Sequence, residues 1–386
     1  MNTTGYQHVA VGQNALAANT TGIVNIAIGA EALDANSTGS KNIAIGKGAL
    51  SSSDADNNTA IGWDALLNNT TGAHNNAVGS QALTTNTTGS YNHAFGTNAL
   101  GATTTGEVNC AFGNGLQSNT TGSSNVSVGS NALDNNTTGG SNVAVGRDAL
   151  KANTTASESV AIGRHAGEDN TAAHLCAVGY KALANNTTGT SNTACGHQAM
   201  EYCTTGANNT AVGQNAFAGL VSGSNNTAIG YGAGGTGVGN VQTGSNNMCL
   251  GNNNVTDAFI KVDWTVGSDR RDKTDIEPFN HGLSWINKLN PVTYRWDNRS
   301  NYEDGKPDGS KKSPKLNVGL IAQDELEVEK EHGFGDTPDN MIVAHVDDGG
   351  GYGMKYAKLV PILINAVKEL SSENDALKAR LDAAGL

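Results

Sequence analysis

Glycine returns at a nearly constant interval through about the first two thirds of this chain. Gly12, Gly29, Gly46, Gly62, Gly79, Gly96, Gly113, Gly129, Gly146, Gly163, Gly179, Gly196, Gly213 and Gly230 lie sixteen or seventeen residues apart, and a looser copy ends at Gly251. Around each anchor one phrase is restated, as in "NTTGIVNIAIGAEALDA", "NSTGSKNIAIGKGALSS" and "NTTGGSNVAVGRDALKA". Self-similarity at so short a period restricts the fold to a solenoid or fibre, in which each unit touches mainly its neighbours.

Within a unit, "NTTG" supplies turn chemistry: Asn and Thr side chains bond nearby backbone, and Gly accepts a positive φ. The run "N-x-A-x-G" reads as a strand, with neighbouring side chains on opposite faces. Ala27, Ala44, Ala60, Ala144 and Ala211 stand two before the anchor, and Ile28, Ile45, Phe95, Val145 and Leu250 one before. Both faces are therefore apolar. A single solenoid buries one of them, so the other needs a second chain, and an alanine face implies close approach of backbones at an axis. These features predict an elongated parallel homotrimer. The "A-L" pair after the anchor (Ala32-Leu33, Ala149-Leu150) gives one larger apolar residue per turn, in a run too short and too closely bracketed by Gly and Asn for a helix.

Composition narrows the function. Hydrophobic residues make up 37% and aromatics 5%, with 50 glycines, which leaves little for a layered core. The net charge of −12 is spread over the whole chain with no basic stripe, so nucleic acid is excluded as a partner. Cys110, Cys176, Cys195, Cys203 and Cys249 have no metal-ligand spacing and read as small buried hydrophobes, with no metal and no cofactor expected. The opening "MNTTGYQHVAVG" is no secretory signal and no apolar run spans a bilayer, so we expect synthesis in a cytoplasm without membrane insertion. The "NTT" triplets are then structural rather than glycosylated. No paired carboxylates recur, and His8, His74, His93 and His165 fall in variable slots. "GYGAGGTGVGN" (230–240) has no Lys-Ser/Thr after it and reads as an irregular loop rather than a phosphate cradle.

The repeat resembles the head repeats of trimeric autotransporter adhesins over roughly residues 5–252. That resemblance implies a parallel β-roll, left-handed in the family, although the unit here is longer.

At "VGSDRRDKTDI" (266–276) the chain changes character. Up to Ser268 there are 7 Lys+Arg and 14 Asp+Glu; from Asp269 onward there are 16 and 21, and all six prolines fall after the change. Just before it, Phe259, Ile260, Val262, Trp264 and Val266 predict a strand leading into Ser268. From here "SDRRDKTDI" (268–276), "LNPVTYRW" (289–296), "VGLIAQDEL" (318–326) and "KYAKLVPILINAVKELSSENDALKARL" (355–381) resemble, in order, the C-terminal intramolecular chaperone of phage tailspikes and fibres. That family, known from endosialidases, is classed as the S74 self-cleaving peptidase. The resemblance implies that Ser268 and Lys273 form a catalytic dyad cutting one of the two bonds flanking Ser268, within Gly267-Ser268-Asp269. The chemistry is reasonable: serine needs a base to take its proton, and a desolvated lysine can serve. Attack by Oγ on the Gly267 carbonyl passes through a five-membered ring; attack by a neighbouring chain's serine is the alternative. The "RRD" between the pair departs from simpler versions of the motif.

The last stretch places Leu359, Leu363, Val367, Leu370, Leu377 and Leu381 at spacings of three, four or seven, with Glu373 and Lys378 as surface charge, predicting an amphipathic helix over about 355–386 that continues as a coiled coil, Pro361 in its first turn or at a kink. The expected organisation is a mainly β homotrimer: a repeat fibre (1–257), a linking strand and cleavage junction (258–268), and a small α+β chaperone (269–386). The leading functional reading is a phage tail fibre that binds a host surface receptor, a glycan or outer-membrane component, joins other virion tail proteins, folds in the host cytoplasm and works outside the cell. A bacterial trimeric adhesin and a polysaccharide-degrading tailspike are the alternatives.

Overall fold

The structure, a computed structural model, describes residues 2–235, 240–255, 257–261, 265–347 and 350–385. Contacts divide the chain into two units, Met1–Gly235 with Val241–Asn252 and Thr236–Asn240 with Asn253–Leu386.

The first unit is a parallel β-solenoid of about 14 turns. Fifteen three-residue strands, from β1 (Val9–Val11) to β15 (Met248–Leu250), form one sheet in sequence order, each parallel to the next. Register is held residue on residue, so that Ala10, Ala27 and Ala44 stack in one column. The central alanine of nearly every strand points into the coil and is fully buried, while the residues on either side point outward. This corrects one expectation: the alanine face lines the chain's own interior, and the face left open is the Ile/Val/Phe column, where Ile28 is 38% exposed. The anchor glycine follows because the corner closes tightly. Gly29 has φ +136, and a Cβ there would lie 2.4 Å from the Gly46 carbonyl oxygen.

The Ala-Leu segment is neither helix nor strand. Glu31 (φ 63) and Leu33 (φ 49) flank Ala32 in the left-handed region, and Leu33 N–H donates to the Ala49 oxygen of the next turn at 3.1 Å. A left-handed leucine costs about 1–2 kcal/mol, comparable with the roughly 1.5–3 kcal/mol gained by burying its side chain. The corner is therefore stable only inside a stack.

Buried asparagine completes the interior. Asn25, Asn42 and Asn58 are fully buried; Asn42 N–H donates to Asn25 Oδ1 at 2.9 Å, and Asn58 N–H repeats this on Asn42. Each Nδ2 then donates to a carbonyl of the following turn, as Asn42 does to Ala55 at 2.8 Å. A second column, including Asn19, Asn36 and Asn69, arises from the "NTTG" motif itself. Both columns satisfy backbone groups that water cannot reach.

Where the repeat deviates, adjacent turns compensate. Gly167 stands in the leucine slot, and Leu175, in an asparagine slot of the next turn, fills the space: a Cβ on Gly167 would meet its Cδ2 at 2.7 Å. Phe217 is larger than the leucine it replaces and lies over Gly234, whose Cβ would be 2.4 Å from the ring. Ser127 replaces alanine; its Oγ donates to the Ala132 oxygen at 2.9 Å and lies where a Cβ on Gly115 would fall. The cysteines divide: Cys203 is buried, and that burial pushes its thiol up to about 11. Cys110, Cys176 and Cys249 are half-buried, and Cys195 is exposed on the outward column, against expectation.

The second unit contains α1 (Leu283–Ile286), the antiparallel pair β16 (Val292–Tyr294) and β17 (Asn317–Gly319), α2 (Ala322–Glu331), the antiparallel pair β18 (Ala344–Val346) and β19 (Tyr352–Met354), and α3 (Leu359–Ala384). Its core joins Trp285, Val328, Val343, Leu359 and Ile362. Pro361 lies in the first turn of α3, where its missing N–H leaves no helical bond unmade. Leu359 of the apolar series packs into the core, and Leu363, Val367, Leu370, Leu377 and Leu381 are exposed along the helix. Among the described residues no helix is long and apolar enough to cross a membrane.

Candidate self-cleavage site

The segment before Ser268 is not a strand among its described residues. Phe259 is 97% and Val266 80% exposed, with no pairing partner that would fix an extended ladder; Val262 and Trp264 lie outside the described residues. Alternation alone proposed the strand, but alternation without a partner leaves backbone groups with nothing but water to bind.

Beyond it, Arg270–Asp272, the "RRD" between the pair, forms one turn of 3-10 helix. Asp269 caps it: Oδ1 accepts the Arg271 N–H at 2.9 Å, and Oδ2 accepts Arg271 Nη2 at 2.6 Å. The turn is closed by Asp272 N–H on the Asp269 oxygen and Lys273 N–H on the Arg270 oxygen, both 3.3 Å. Lys273 leaves in extended conformation, and its Nζ donates to Ser268 Oγ at 2.6 Å. Both side chains are exposed. The Arg271 guanidinium, then its N–H, hold the Asp269 carboxyl below the usual carboxylate range. Gly267 is exposed, and nothing lies within 4 Å of where a Cβ on it would stand.

This arrangement brings the serine and lysine together at an exposed position. A lysine serves as a base where burial disfavours its charge.

Several further clusters were not legible in the sequence. On α2, Glu325 accepts from Trp285 Nε1 at 2.9 Å, and burial, opposed by this bond and reinforced by the charge of Glu329, pushes its carboxyl up to about 7. Glu329, one turn on and fully buried, accepts the N–H groups of Ile342 (2.9 Å), Val343 and Ala344 (each 2.5 Å), fixing the entry to β18. Glu369 of α3 accepts Leu283 N–H at 2.6 Å and so caps α1. On the solenoid, donor atoms of Asp148, His165 and Glu168 lie within 4.8 Å of one another, yet Arg147 Nε (2.8 Å) and Lys151 Nζ (3.6 Å) already neutralise Asp148. Histidines in the variable slots stack on neighbouring aromatics, His74 on Tyr91 at 4.9 Å and His197 on Tyr180 at 5.1 Å.

No match to the chain was found among curated proteins. Residues 268–334, beginning at the serine that Lys273 contacts, match the family model of Peptidase S74, the chaperone of endosialidase.

Proposed function

We propose that this chain is a phage tail-fibre protein, a receptor-binding solenoid assembled as a parallel homotrimer by its C-terminal chaperone, which is then released by Ser268–Lys273 self-cleavage. The observation that carries the reading is the 2.6 Å contact between Lys273 Nζ and Ser268 Oγ, at the first residue of the chaperone match and where the repeats have ended. Trimerisation is supported by two uncovered apolar faces: the outward column Ile28, Ile45, Ile61, Phe112 and Ile162, and the exposed leucines of α3. Exposed Trp63, Tyr180, Tyr202 and Tyr231 offer flat surfaces suited to the sugar rings of a host glycan. Folding would take place in the host cytoplasm, with the fibre joining other virion tail proteins before it acts outside the cell.

In the cleavage step, Ser268 Oγ bonds to the Gly267 carbonyl carbon as the Gly267–Ser268 C–N bond breaks. The serine proton passes to Lys273 Nζ and from there to the departing amine. Water then hydrolyses the ester, leaving a Gly267 carboxylate and restoring the serine hydroxyl. Burial of Lys273 by neighbouring copies supplies the desolvation it lacks in one chain, so only assembled trimers cut. On a denaturing gel, wild type should give fragments of 267 and 119 residues, and Ser268→Ala and Lys273→Ala should stay whole while still forming trimers. A Ser268→Ala chain that cuts as fast as wild type removes the dyad from the reaction.

A further inference from the structure

We infer that Asp269 is a positioning residue for the cleavage, acting as the cap that folds the chain so Lys273 can reach Ser268; the inference rests on the self-cleavage reading above. The pair stands five positions apart, and an extended chain of that length spans roughly 16–18 Å, far beyond what a lysine side chain can bridge. The single 3-10 turn at Arg270–Asp272 removes that distance, bringing Nζ to 2.6 Å from Oγ. The turn buries none of its residues, so no packing holds it. What holds it is Asp269: Oδ1 takes the otherwise unpaired Arg271 N–H at 2.9 Å, and the carboxylate receives Arg271 Nη2 at 2.6 Å and Nε at 3.1 and 3.2 Å. Cap loss frays a turn this short, and an attack geometry then becomes one conformer among many.

The test follows cleavage of newly synthesised full-length chain against time on denaturing gels, with trimer content measured by light scattering. Asp269→Ala should slow cutting about tenfold or more at unchanged trimer content. Asp269→Asn should cut within about threefold of wild type, because its amide oxygen still caps the turn. Arg271→Ala, which keeps the cap and loses the guanidinium, should fall between them. If Asp269→Ala fails to assemble, Asp269→Gln, whose amide stands one carbon too far out to cap, replaces it. Asp269→Ala cutting at the wild-type rate overturns the inference. So does Asp269→Asn being as slow as Asp269→Ala, which would assign the effect to charge. Both results count only where wild type cuts and Ser268→Ala does not; an uncut wild type, or a cut Ser268→Ala, instead removes the self-cleavage reading and the positioning role with it.

Discussion

The solenoid and the chaperone solve the same problem, burying polar backbone, with opposite kinds of contact. In the solenoid most bonds run to the adjacent turn, as from Asn42 N–H to Asn25 Oδ1, and most turns repeat the same set of partners. In the chaperone the defining bonds are singular and distant: Trp285 to Glu325 across 40 residues, Leu283 to Glu369 across 86. A repeat that accepts any neighbour specifies a coil but not its alignment with another chain. A fold with one solution could supply that alignment under the function proposed above.

The largest effect expected from breaking this comparison is loss of residues 269–386. Expressed without them, the repeats should aggregate through mismatched outward columns, since nothing else sets register. A soluble trimer of residues 1–268 made from scratch would show that the solenoid aligns itself. Next is Leu175→Ala, which empties the space above Gly167 and should cost about 2–4 kcal/mol. Gly167→Leu should be tolerated only together with Leu175→Asn, which restores the common pattern; thermal melting of the double and single variants would measure the coupling. In the chaperone, the folded state holds the Glu325 proton more tightly than the unfolded chain does. Stability should therefore fall as pH rises from the ordinary value of 4.5 toward about 7, then level off. Glu325→Gln should abolish that slope and add about 2–3 kcal/mol at pH 8, read from melting curves between pH 4 and 8. The mildest test uses Cys195, exposed on the outward column. If copies meet in register across that column, gentle oxidation should link chains through Cys195, and Cys195→Ser should remove the link without changing stability by more than about 0.5 kcal/mol.

Much of this was legible in the residues. The glycine period gave the solenoid, alternation about Ala27 gave its strands, and the spacing from Leu359 to Leu381 gave α3 with Pro361 at its start. The asparagine columns were not legible, because an Asn beside Thr and Gly reads as turn chemistry, and the carbonyl that Asn42 Nδ2 reaches lies 13 residues away. Leu33 was hidden by its own propensity, since a leucine is the last residue a local rule would place at φ 49. No pattern in the sequence marks Glu325 and Glu329 as buried; only the fold supplies the indole and the β18 backbone that claim them. At the junction the Ser268–Lys273 pair was legible through its motif. The capped turn between them was not, because three charged residues in a row look like a solvated loop.

The paired exchanges in the solenoid bear on how such a chain is inherited. Repeated sequence invites unequal crossover, which deletes or duplicates whole turns without shifting the phase of the coil. Most breakpoints join interchangeable surfaces and leave an intact solenoid of different length. A breakpoint that parts Gly115 from Ser127, Gly167 from Leu175, or Phe217 from Gly234 leaves a hole or a clash. Those three turn pairs travel together, and length variants of this solenoid are expected to keep or lose each of them as a block.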